Sequence, residues 1–84
     1  MSDAPGKPMS FGERAVGLNF NPSGDTRVNE IKSLYAKIID ICAEHRGSNG
    51  TAFEASGEQK RLWSVAITEA QTAQMWAVKA ATWT

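Results

Sequence analysis

Residues 58–84 read EQKRLWSVAITEAQTAQMWAVKAATWT, and the periodicity of this stretch decides the fold. Leu62, Trp63, Val65, Ala66, Ile67, Ala70, Ala73, Met75, Trp76, Ala77, Val78, Ala80 and Ala81 leave only a narrow polar stripe. That stripe is Ser64, Thr68, Gln71, Thr72 and Lys79, spaced mostly by three or four. A helix that is apolar nearly all round has to be buried nearly all round. One partner helix covers one side only. The surplus predicts self-assembly, with the polar stripe as a place for something wet or charged.

Working outward, residues 47–57 (GSNGTAFEASG) are a connection. Gly47 is a natural stop after Arg46, and Ser56 and Glu58 lie near the start of the last helix. Before the connection runs VNEIKSLYAKIIDICAEHR. Val28, Ile31, Tyr35, Ile38 and Cys42 follow a 3-4-3-4 spacing, which predicts a heptad seam. Leu34, Ile39 and Ile41 widen the apolar face. Two long helices joined by a short link predict an antiparallel hairpin.

Residues 21–25, NPSGD, read as a turn into the first long helix. Pro22 biases Asn21 away from helical geometry, and Ser23 is the expected N-cap. Ahead of it, Ser10 and Glu13 in SFGERAVGLNF fit a capping box, and Gly17 limits that helix to one or two turns. A helix so short is marginal alone, so it must dock through Phe11, Val16, Leu18 or Phe20. Residues 1–9 are rich in Pro and Gly and read as a flexible terminus, leaving 10–84 as one all-α domain.

The 84 residues carry nine Lys and Arg against nine Asp and Glu. That balance argues against a duplex nucleic-acid binder, which usually has a basic excess. It leaves room for a small anion met by cations from several copies. Cys42 stands alone, so neither a disulfide framework nor a multi-cysteine zinc site is expected. The opening MSDAPGKPMS lacks the apolar core of a signal peptide, and no run approaches the ~20 apolar residues that span a bilayer.

An enzyme is not expected. The single His45 ends a helix, where the dipole favours a cation. Cys42 lies on the apolar seam as a small core residue. Common nucleophile, phosphate-loop and metal motifs are missing from the sequence, and neither metal nor cofactor is expected. Two residues have two readings each. Lys32 is either a snorkelling surface lysine or a phosphate contact. Phe20 is either a hydrophobic staple or a platform for a base.

Two stretches go beyond generic pattern. They are FNPSGDTRVNEIK (20–32) and RLWSVAITEAQTAQMWAVKA (61–80). Together they resemble the small helical-hairpin proteins of phages that act as anti-CBASS cyclic-oligonucleotide sponges, CBASS being the bacterial cyclic-oligonucleotide-based antiphage signalling system. The resemblance spans residues from about 10 to 82.

It implies a short N-terminal helix, a long antiparallel hairpin and a compact hexamer. It implies binding, without cleavage, of cyclic dinucleotides such as cyclic GMP-AMP between protomers. Several family members also take cyclic trinucleotides at separate threefold pockets. Sequestration in the host bacterial cytoplasm would keep the CBASS effector from switching on. By the same resemblance the base-stacking aromatic falls on Phe20, where members often have Tyr, with Asn21 beside it. The phosphate-contacting lysine falls on Lys32. The trinucleotide residues fall on Arg61, Thr68, Gln71 and Thr72. Some members carry an arginine just before the motif's threonine, and this chain has Ile67 there. A helical interaction protein that binds a phage or host protein is the rival reading.

Overall fold

The structure, a computed structural model, describes residues 8–47 and 56–84. Three helices follow in order: α1 (Phe11–Val16), α2 (Thr26–Arg46) and α3 (Gly57–Ala81). The connection at 48–55 and all of the 1–9 terminus except Pro8 and Met9 lie outside the described residues.

α1 forms as its capping box dictates. The Ser10 hydroxyl accepts from the Glu13 N–H at 3.0 Å, and the Glu13 carboxylate accepts from the Ser10 N–H at 2.8 Å. Gly17 then adopts a φ of 64°, which ends the helix in the left-handed region that glycine tolerates best. Six residues do not hold a helix alone, and α2 supplies the missing support. A Cβ placed on Gly12 would lie 2.1 Å from the Ala36 carbonyl oxygen, so only glycine allows this crossing. The Gly12 N–H also donates to the Asp40 carboxylate at 2.7 Å. Asp40 thereby satisfies a free amide at the start of α1. Of the four expected docking side chains, Val16 is buried and Leu18 packs against the core. Phe11 and Phe20 remain exposed.

α2 corrects two expectations. Its N-cap is Asp25 rather than Ser23, and the Asp25 carboxylate accepts from the Arg27 N–H at 2.8 Å. Gly24, at φ 68°, keeps the chain turning after Ser23, so the helix starts later. Its covered face is also rotated from the expected seam. Val28, Lys32, Ala36, Ile39, Cys42 and Ala43 are buried, whereas Ile38 is about half exposed at 48%. The close approach of Gly12 turns the small Ala36 inward, and Lys32 follows on the same face.

α3 starts on a second capping box, Ser56 with Gln59, and its last turn closes on Thr82. It runs antiparallel to α2. At one end the His45 ring stacks on Trp63 with centroids 5.3 Å apart, and the Arg46 guanidinium donates to the Ser64 hydroxyl at 3.0 Å. At the other end Arg27 donates to the Ala81 carbonyl at 2.8 Å. The core between the helices is Val16, Ala36, Ile39, Cys42, Ala43 and Ile67.

Only Ile67 and Gln74 of α3 are buried in one protomer. Leu62, Val65, Met75 and Trp76 are exposed on α3, as are Leu34, Ile38 and Ile41 on α2. The Cα atoms span 44 × 32 × 12 Å. The shortest extent is far below the other two, so the protomer is flat. Large apolar side chains of both long helices are thus left uncovered in one protomer.

Gly12→Ala should destabilise the fold by about 1–3 kcal/mol, the usual range for an added methyl in a tight contact. A lower urea midpoint at fixed protein concentration would register it. A midpoint equal to that of the parent protein would mean that α1 does not cross α2 this closely.

Candidate ligand site at the turn before α2

Residues 20–25 are held by their own hydrogen bonds. The Phe20 N–H donates to the Gly17 carbonyl at 2.9 Å, and the Gly24 N–H donates to the Asn21 carbonyl at 3.1 Å. The Asn21 side-chain amide donates to the Asp25 carbonyl at 3.0 Å, while its oxygen accepts from the Ser23 hydroxyl at 2.9 Å. Ser23 in turn accepts from the Asp25 N–H. Asn21 therefore frames the turn with both ends of its side chain. Asn and Ser are common in turns because they bond the local backbone in this way.

Lys32 lies beneath this turn. Its ammonium donates to the Gly17 carbonyl at 3.0 Å and to the Phe20 carbonyl. At 6% exposure it is not a snorkelling surface lysine. An ammonium carries three donors, and two are engaged by these carbonyls. Neither of the two ion pairs found among the described residues involves Lys32. It is thus a buried cation compensated by carbonyl dipoles, without a carboxylate.

Above it, Phe20 is 71% exposed and does not pack as a staple. The Lys32 Nζ lies 5.5 Å from its ring centroid, within the range of a cation–π contact. Phe20 and Lys32 border a hollow of about 230 Å³, with Val28, Pro22 and, from α3, Val78 and Thr82. An open ring face beside a fixed positive charge suits a planar ligand that carries an anion.

A clasp fixes this corner to the end of α3. Arg27 donates to both Asp25 carboxylate oxygens, at 3.2 and 2.8 Å, and to the Ala81 carbonyl. The side-chain hydrogen bond from Arg27 is the main cause that lowers the Asp25 pKa below its ordinary value, and the bond from the Arg27 backbone N–H adds to it. The same hydrogen bond raises the Arg27 pKa.

The other candidate set is dispersed in one protomer. The Arg61 guanidinium is engaged by Glu58 on its own helix, at 2.7 and 3.1 Å. The Thr72 hydroxyl donates back to the Thr68 carbonyl at 3.2 Å. Arg61, Thr68 and Thr72 share an exposed face of α3, but Arg61 and Thr72 are about 16 Å apart along the axis. Gln71 lies about a quarter turn round the helix and is partly buried. Within a protomer these four do not converge.

Sequence reasoning missed Val78 and Thr82 as walls of the hollow and Arg27 as the clasp. Only the antiparallel return of α3 brings Val78 and Thr82 to the turn and the Ala81 carbonyl to Arg27. Among the described residues no group of three or more His, Cys, Asp or Glu is placed to hold a metal ion, and no helix is long and apolar enough to cross a membrane.

The fold and hollow define a class: a helical hairpin with an aromatic and cationic hollow where its two ends meet. Residues 13–82 match the family model described as Acb2/Tad1, hairpin domain. The chain belongs to this family, that of the anti-CBASS cyclic-oligonucleotide sponges. The matched span takes in all of α2 and α3 and most of α1. Neither a curated protein nor a solved structure matches the chain.

Asp25 stabilises the folded state as a carboxylate, because its pKa falls on folding. That contribution is present above its unfolded pKa and is lost as pH falls through the lower folded value. The Asp25 carboxyl should therefore titrate by NMR below an unstructured aspartate, and Arg27→Ala should move the midpoint back up. Equal midpoints in the two proteins would remove Arg27 as the cause.

Proposed function

We propose that this protein sequesters cyclic oligonucleotide second messengers, cyclic dinucleotides such as cyclic GMP-AMP first, and releases them intact. The observation that carries the reading is the buried Lys32 ammonium with carbonyl partners and, among the described residues, no carboxylate, set beneath an exposed Phe20 ring. Phe20 stacks on a base, and Lys32 draws the phosphate with its remaining donor. Stacking contributes ~1–3 kcal/mol per base in nucleic-acid complexes, and a hydrogen bond from a charged donor to phosphate is among the stronger kinds. The turn is braced before the ligand arrives, which lowers the ordering cost of binding. Asn21 belongs to the site as its frame.

The hollow of about 230 Å³ in one protomer falls short of the ~300–1,000 Å³ of ordinary small-molecule sites. A site shared by two copies removes the shortfall. A twofold interface would present Phe20 and Lys32 twice, in keeping with a ligand of two bases and two phosphates. The exposed apolar faces of α2 and α3 supply the surface for assembly, and a hexamer fits the family. Around a threefold axis, Arg61, Thr68, Gln71 and Thr72 of several copies would form a second pocket for a cyclic trinucleotide. Arg61 would then exchange its exposed bond to Glu58 for the ligand. Stoichiometric capture in the host bacterial cytoplasm blocks the CBASS effector without turnover.

The exposed row Leu34, Ile38 and Ile41 also suits a different protein as partner. Light scattering decides between the readings, since a homo-oligomer covers that row by itself and a monomer in solution favours the partner.

Phe20→Ala should weaken cyclic GMP-AMP binding more than ten-fold by calorimetry with the oligomer intact, and Phe20→Tyr should be tolerated. Lys32→Ala should weaken it at least as much, because it also loosens the turn. Unchanged affinity in both alanine variants would overturn the site. Ligand recovered whole after heat denaturation of the complex supports capture, and a linear product would show cleavage instead.

Thr72→Arg should impair cyclic trinucleotide binding or assembly while the helical circular dichroism stays intact. Unaltered binding and assembly would place Thr72 outside both surfaces.

A further inference from the structure

The outer side of α3 carries a row of side chains that the protomer leaves open. Val65, Glu69, Thr72, Trp76, Lys79 and Trp83 are spaced 4-3-4-3-4, and all six are exposed. At about 100° per residue the row lies opposite the buried Ile67 and Gln74, so it faces away from α2. Trp83 stands just past the Thr82 cap. The Lys79 Nζ nevertheless lies 5.9 Å from its ring centroid and 5.5 Å from that of Trp76, so the two indoles and the ammonium stay together on the row. Alternating steps of three and four are the pattern by which one helix packs lengthwise on another.

Two charges on the row select the occupant. Neither ion pair found among the described residues involves Glu69 or Lys79. They are about 15 Å apart along the helix axis, so they do not meet within one α3. A second copy of α3 laid antiparallel brings them together. Glu69 and Lys79 lie five residues to either side of position 74. A twofold axis at that level sets Glu69 against Lys79 of the second copy, and Lys79 against Glu69 of the second copy. The same axis pairs the rest of the row, since Thr72 and Trp76 lie two residues to either side of 74, and Val65 and Trp83 nine. Each indole then meets a smaller side chain. A parallel copy in register would set like charges together, which is costly at an interface. The indoles, 65% and 73% exposed, bring about 600 Å² from the two copies, roughly half of the ~1,200 Å² at the lower end of stable interfaces.

We infer that α3 is a twofold interface between two copies of this chain, antiparallel, centred at residue 74 and closed by two Glu69–Lys79 ion pairs. The inference rests on the self-assembly in the proposed reading and gives it a register. A contact of this kind uses one self-complementary patch twice. Thr72 lies on the row and Thr68 beside it, so the twofold contact and the proposed threefold pocket would adjoin.

The test uses the full chain and light scattering at fixed protein concentration. Glu69→Lys would set two lysines together at each ion pair, and Lys79→Glu two glutamates. Either variant alone should lower the mass, with the dissociation constant of the contact raised about ten-fold or more. An equal mixture of the two should restore the parent mass, because opposite charges again face each other across the axis. Where a single variant also loses helical circular dichroism, the mixture should regain it. A parent-like mass in both single variants overturns the interface, and so does a mixture that stays dissociated. In either case the parent protein is still an oligomer, and only the register fails. A monomeric parent protein would instead sink the self-assembly reading, and the inference with it.

Discussion

The buried ammonium of Lys32 holds the corner on which the rest depends. Removing a charge from water is costly unless hydrogen bonds replace the lost hydration. Here the carbonyls of Gly17 and Phe20 do so. One belongs to the residue that ends α1 and the other to the residue that opens the turn. A single side chain of α2 thus ties down a six-residue helix and the segment after it. Gly17 serves the same corner, because its φ of 64° directs the chain over Lys32. With its backbone fixed in this way, Phe20 has its ring left outside.

A second constraint is thinness. The protomer is flat, 12 Å across its shortest Cα extent, and much of its apolar surface finds no cover within it. Leu34, Ile38 and Ile41 form one uncovered row on α2, and Leu62, Val65 and Trp76 another on α3, with Met75 exposed to one side of it. Large exposed apolar patches usually mark interaction surfaces. In the proposed reading assembly covers these faces and also completes the ligand sites, so stability and binding would rise together.

What was legible in the sequence follows from the range of the forces involved. The capping box at Ser10, the stop at Gly17 and the hairpin of two long helices are local or strongly periodic signals, and each stands in the structure. The N-cap of α2 was misplaced because NPSGD offers two good capping residues, and only the backbone at Gly24 selects Asp25. The seam was misplaced because α2 is apolar on more than one face. Periodicity does not tell which face a neighbour covers, and the contact of Gly12 with Ala36 decides it. The Asp40 bond to Gly12 joins residues 28 apart in the chain, beyond any local pattern. Lys32 and Phe20 were singled out through the family resemblance, and the structure places them side by side at the turn. The carbonyl partners of Lys32 were not legible, since they depend on how α1 docks.

In the proposed reading the site captures its ligand, and the buried charge suits that task. Two of the three donors of the Lys32 ammonium are held by backbone carbonyls. Its fixed charge favours an anion that arrives and remains. A bound phosphate would give the buried cation a counter-charge that no ion pair among the described residues supplies. The ligand would then stabilise the corner that binds it, by about 2.7 kcal/mol when its free concentration is a hundred times Kd. A sponge built in this way grows more stable as the messenger accumulates, which is the condition under which it has to work.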